Sequence, residues 1–124
     1  MEKIAGLKAD RKPRNTPNMP IQETLDEIVS RIVKRFDPDK IILFGSQARG
    51  DTATYSDVDL LVIMPVPHTR RRLATEIDLS LVGIDLPADV IVVTPEEVQR
   101  NQDRIGTIIR PAIREGKVLY ERVA

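Results

Sequence analysis

The sequence predicts an α/β (α+β) domain with a small mixed β-sheet and flanking helices. Two short apolar runs, Ile41-Ile42-Leu43-Phe44 and Leu60-Leu61-Val62-Ile63-Met64, are rich in branched residues and bounded by Gly, Asp or Pro, the pattern of buried strands. Ahead of them the apolar residues Ile21, Leu25, Ile28, Ile32 and Phe36 are spaced by four, three, four and four, which is one stripe of a helix. Behind them a second helical pattern leads into a third apolar run, Ala88 to Val93.

The elements follow in chain order. Residues 1–20 carry Lys3, Lys8, Arg11, Lys12 and Arg14 against Glu2 and Asp10, with three prolines, and are expected to be a flexible basic tail ahead of a domain at 21–124. The helix from Ile21 should end at Asp37-Pro38, because the residue before proline disfavours helix. The link from Phe44 to Asp57 is at the lower limit for a parallel crossover, so the first two strands should be antiparallel. After Pro65 and Pro67, Thr69 can cap a helix presenting Leu73, Ile77 and Leu81. Arg70-Arg71-Arg72 in its first turn oppose the helix dipole and read as a solvated face, with a phosphate or partner contact as the alternative. His68, the one histidine, reads as a loop residue. This helix suits a right-handed crossover, making the second and third strands parallel neighbours. Thr94-Pro95-Glu96-Glu97 is a capping box with proline at the first helical position, opening a helix to about Gln102. A last helix should begin near Thr107 or at Pro111 and end at Gly116, before a short edge strand over residues 117–121.

Composition narrows the function. A chain of 124 residues fits one core. Nineteen Lys+Arg against 19 Asp+Glu argues against nucleic acid as the main partner. Without cysteine there is no disulfide framework, zinc-thiolate site or thiol nucleophile. No apolar stretch approaches a membrane span and the start lacks a signal-peptide core, so a cytoplasmic protein is expected.

The chemistry concentrates between the first two strands. Residues i and i+2 of a strand share a face, so Asp57 and Asp59 should project together with Val58 turned into the core. Two adjacent carboxylates want a cation between them, and hard divalent ions take such oxygens together with substrate phosphate. Gly45 clears space where a phosphate would approach, and Ser46 offers a hydroxyl and an N–H at a helix start. A lone Asp-x-Asp is commonly a solvated strand end. Gly-Ser, ten residues, then Asp-x-Asp arises by chance on the order of once in a thousand chains of this size. The set reads as a metal–triphosphate site. Asp89, one residue inside an apolar run, should start its strand level with Asp57 and Asp59; Asp85 is the competitor, outside the run and before Pro87.

The stretch Gly45-Ser46-Gln47-Ala48-Arg49-Gly50-Asp51 through Ser56-Asp57-Val58-Asp59-Leu60, with the ending Ile113-Arg114-Glu115-Gly116-Lys117-Val118-Leu119-Tyr120-Glu121, resembles the minimal nucleotidyltransferases of the polymerase-β-like superfamily. Many of these are antitoxins paired with a HEPN-domain ribonuclease toxin. The resemblance covers roughly residues 21–122 and implies a polymerase-β-like nucleotidyltransferase fold. It implies two magnesium ions held by Asp57, Asp59 and Asp89, and ATP seated by Gly45 and Ser46 with added positive charge from Arg49, for which a surface salt bridge is the alternative. It further implies transfer of AMP to a hydroxyl, typically tyrosine, of a cognate HEPN toxin in a hetero-oligomeric complex. The alternatives are an antitoxin that neutralises by binding alone, and a nucleotidyltransferase acting on RNA or a small molecule. Few aromatic residues disfavour base stacking and hence RNA.

Overall fold

A computed structural model of the chain describes residues 18–45 and 58–123. Helix α1 (Asn18–Phe36) leads into strand β1 (Lys40–Phe44). Strand β2 (Val58–Ile63), helix α2 (Arg70–Ser80) and strand β3 (Ala88–Val93) follow. Helices α3 (Pro95–Asn101) and α4 (Ile109–Glu115) and strand β4 (Lys117–Glu121) complete the described chain.

The strands form one mixed sheet in the order β3-β2-β1-β4. β1 and β2 are antiparallel with Phe44 opposite Asp59, as the short connection between them requires. β2 and β3 are parallel with Asp59 opposite Asp89, α2 serving as the crossover. β4 lies antiparallel on the free side of β1, with a register shift between Ile41 and Ile42.

Strand alternation splits the core into two layers. On one face Ile41, Leu43, Val58, Leu60, Val62 and Val92 pack against Leu25, Ile28 and Ile32 of α1 and Leu73 and Ile77 of α2. On the other face Ile42, Leu61, Ile63 and Val93 pack against Ile109 and Ala112 of α4. Leu25, Ile28 and Ile32 of the stripe that predicted α1 are therefore on its buried side.

The helix boundaries refine the sequence reading. α1 begins at Asn18, three residues ahead of the apolar stripe, with Pro20 in its first turn, where a missing N–H costs nothing. It ends at Asp37, whose φ of 52° breaks the helix and whose N–H donates to the Val33 carbonyl at 3.0 Å. Thr69 caps α2 through an Arg72 N–H bond of 3.1 Å, and the helix stops at Ser80, so Leu81 forms the C-cap. Thr94 and Glu97 make the predicted capping box of α3. α4 starts at Ile109, near Thr107: Thr107 Oγ1 accepts from the Arg110 N–H at 3.3 Å, and Pro111 is the third residue of the helix, where its lack of a donor is harmless.

Candidate functional site

β1 runs toward Gly45, while β2 and β3 both start beside it. Gly45, Asp59 and Asp89 therefore meet at one end of the sheet. Gly45 has φ 81°, a conformation that side chains rarely adopt. A Cβ there would stand 2.5 Å from Asp59 Oδ2, so the glycine leaves the space that the carboxylate takes. The antiparallel pairing of β1 and β2, expected from their short connection, is what brings Gly45 beside Asp59.

Val58 and Leu60, on either side of Asp59, are fully buried under α1 and α2. Asp59 therefore faces the α4 side, where it is half-buried. By the same alternation Asp89 shares a face with Ile91 and Val93 and is exposed. The two aspartates are in register on adjacent strands, about 5 Å apart in backbone spacing. Asp85 is exposed and precedes β3. Asp57, Ser46 and Arg49 lie outside the described residues.

Among the described residues no group of three His, Cys, Asp or Glu side chains could hold a metal ion. Asp59 and Asp89 nevertheless offer paired hard oxygen donors of the type that suits magnesium. Asp78, near the end of α2, joins them electrostatically: burial, and then the charge of Asp89, hold its carboxyl above the usual range. Its neighbourhood to Asp89 arises from the crossover and was not visible in sequence.

A cavity of about 90 Å³ adjoins this end, lined by Phe44, Gly45, Pro111 and Glu115. A larger groove of about 330 Å³ lies at the opposite end of the sheet, between Lys40, Ile63, Pro95 and Val98, and is remote from the aspartates. His68 lies 3.2 Å from Glu76 on the surface, and Arg70 and Arg72 pair with Glu97 and Glu76.

A small mixed sheet of this order, with a glycine turn and carboxylates together at one end, points to the nucleotidyltransferases as a class. The nucleotidyltransferase domain model matches residues 24–114, and the chain belongs to that family. It is a nucleotidyltransferase enzyme with the nucleotidyltransferase fold.

A Methanocaldococcus jannaschii protein whose name designates it a protein adenylyltransferase is 33% identical, over 82% of this chain and 73% of its own length. A crystal structure described as a nucleotidyltransferase from Sulfolobus solfataricus superposes with a TM-score of 0.58 at 20% identity, covering 90% of this chain and 91% of that one. The structure of a mutant MntA–HpeT toxin–antitoxin complex gives a TM-score of 0.51 at 18% identity, over 78% of this chain and 73% of that one. Among the described residues no helix is long and apolar enough to cross a membrane.

Proposed function

We propose that the chain transfers AMP from ATP to a tyrosine hydroxyl of a cognate HEPN-domain ribonuclease toxin, silencing it as its antitoxin in a hetero-oligomeric complex in the cytoplasm. The observation that carries this reading is the register of Asp59 against Asp89 beside Gly45. The relative named as a protein adenylyltransferase favours a protein acceptor. In this reading residues 21–124 are the transferase domain and residues 1–20 a basic tail.

Asp57, Asp59 and Asp89 would hold magnesium, two ions in the resemblance that motivates this reading. Bound there, the metal neutralises the triphosphate and stabilises the charge that builds on the attacking and leaving oxygens. Gly45 keeps the phosphate side of the Asp59 carboxylate free of a side chain, and Ser46 and Arg49 hold the outer phosphates. In the transfer the acceptor oxygen bonds to the α-phosphorus, the bond to the bridging oxygen of the β-phosphate breaks, and pyrophosphate leaves. Asp89, on the exposed edge of the site, takes the proton of the acceptor hydroxyl.

Intact mass spectrometry of the toxin after incubation with this protein, ATP and magnesium tests the reading. AMP-sized increments with the wild type, and none with the Asp57→Asn, Asp59→Asn variant, are expected. An unmodified toxin that both forms silence would mean neutralisation by binding alone.

A further inference from the structure

The chain is neutral overall, with 19 Lys+Arg and 19 Asp+Glu, yet its charge is unevenly placed. Between Asn18 and Arg31 the acids are Glu23, Asp26 and Glu27, all exposed, and the one cation is Arg31. Between residues 78 and 89 there are three aspartates, at 78, 85 and 89, and no cation.

These two segments lie side by side at the aspartate end of the sheet. Arg31 Nη1 donates to the carbonyls of Ser80 at 3.1 Å and Val82 at 3.0 Å, tying α1 to the turn that follows α2. Arg31 Nε is engaged as well, by Glu27 at 3.0 Å. Arg31 is thus occupied, and the acidic stretch runs from it toward Asn18, away from the exposed Lys34 and Arg35 that follow it.

The same turn presents large apolar side chains to solvent. Leu79 is 66% exposed and Val82 is 69% exposed. The Val82 N–H donates to the Leu79 carbonyl at 3.3 Å, so both stand on one turn. Asp78 precedes them, and the chain beyond them leads through Asp85 to Pro87, whose carbonyl accepts the Val58 N–H at 3.1 Å, and into β3 at Ala88. An acidic face with an apolar centre therefore borders the end of the sheet where Asp59 and Asp89 stand.

We propose that this face, centred on Leu79 and Val82 and rimmed by Asp78, Asp85 and Glu27, is where the acceptor docks. Its occupant is a protein segment that carries basic side chains around an apolar one. The proposal rests on the transfer reading above and adds the acceptor's chemistry to it. Nucleic acid is disfavoured, because its phosphates would meet carboxylates of the same sign. A basic protein segment is drawn in by the field and then buries the two apolar side chains.

Fluorescence anisotropy with two labelled peptides tests this: Lys-Lys-Leu-Tyr-Leu-Lys-Lys and its counterpart with glutamate at every lysine. The full chain should bind the basic peptide roughly tenfold or more tighter at low salt, and the preference should shrink with added salt. Asp78→Lys with Asp85→Lys should abolish the preference. Leu79→Ser with Val82→Ser should weaken the basic peptide severalfold while its salt dependence persists. Circular dichroism spectra and urea midpoints like those of the wild type show that both variants fold.

Basic-peptide binding that is unchanged or tightened by the charge variant gives the face to another occupant, such as this chain's own basic residues 3–14, and overturns the proposal. Mass spectrometry on the same samples separates the two readings. Selective binding without AMP transfer leaves docking standing and removes the transfer reading. AMP transfer to both peptides with equal affinity does the reverse.

Discussion

Arg70 Nη2 lies 2.8 Å from Glu97 Oε2, joining the first turns of α2 and α3. The other oxygen of the same carboxylate accepts the Thr94 N–H at 2.9 Å and completes the capping box. One side chain thus caps its own helix and anchors a neighbouring one.

Glu97→Ala should cost about 1 kcal/mol, since it removes the cap and the ion pair together. Glu97→Gln keeps an acceptor for Thr94 and should cost only a few tenths, about 0.5 kcal/mol. Urea unfolding of both variants at neutral pH checks the order. Equal costs would mean that the charge, and not the cap, carries the effect.

The Glu97 carboxyl is held below its ordinary value of 4.5, first by its bond to Arg70 and then by the Thr94 N–H. A depressed carboxylate contributes stability that is fully present above that ordinary value and is lost as pH falls through the folded-state value. Wild-type stability should therefore fall on acidification below about 4.5 more steeply than that of Glu97→Gln. Parallel acid-unfolding curves would contradict this assignment.

Gly45→Ala brings a Cβ to 2.5 Å from Asp59 Oδ2 and places a side chain at φ 81°. The strain should cost about 1–3 kcal/mol. Because the new methyl group displaces the Asp59 carboxylate, AMP transfer should fall further than the loss of folded protein explains. Activity measured per folded molecule, with folding followed by circular dichroism, distinguishes the two effects.

Asp89→Asn should lower transfer by about 10²–10⁴-fold, as expected for loss of a base, while ATP binding persists. Single-turnover transfer measured at saturating ATP is the check. A slowed transfer with ATP affinity retained supports the role, and an unaltered rate excludes it.

Gly116→Ala tests packing at the turn from α4 into β4. A Cβ there would meet the Ala112 carbonyl oxygen, with Ile42 Cγ2 at 2.5 Å and the Leu43 oxygen at 2.9 Å. The turn from α4 into β4 has no room for a methyl group, so a loss of about 1–3 kcal/mol is expected in thermal or urea unfolding.

What could be read in sequence was what depends on near neighbours along the chain. The capping box at Thr94 needs only residues three apart, and the antiparallel pairing of β1 and β2 follows from a short connection. Asp89 was legible because a charge interrupts an apolar run, and the crossover rule then set it level with Asp59. The start of α4 at Ile109 falls near Thr107, and the alternative start at Pro111 fails because the first turn of a helix tolerates proline. The Arg70–Glu97 pair spans 27 positions and leaves no mark in local spacing. Asp57, Ser46 and Arg49 lie outside the described residues, so their place in the site stays an expectation from sequence.

Among the described residues β3 is one of the two outer strands of the sheet, and its sequence Ala88-Asp89-Val90-Ile91-Val92-Val93 is apolar apart from Asp89. An outer strand of this kind is a template on which another copy of the same segment can add, and a charge within it is the usual deterrent. Asp89 thus also guards against self-assembly of the chain. Neutralising it would remove the proposed proton acceptor and an aggregation gatekeeper in one step, so that solubility and the proposed chemistry would both depend on the same carboxylate.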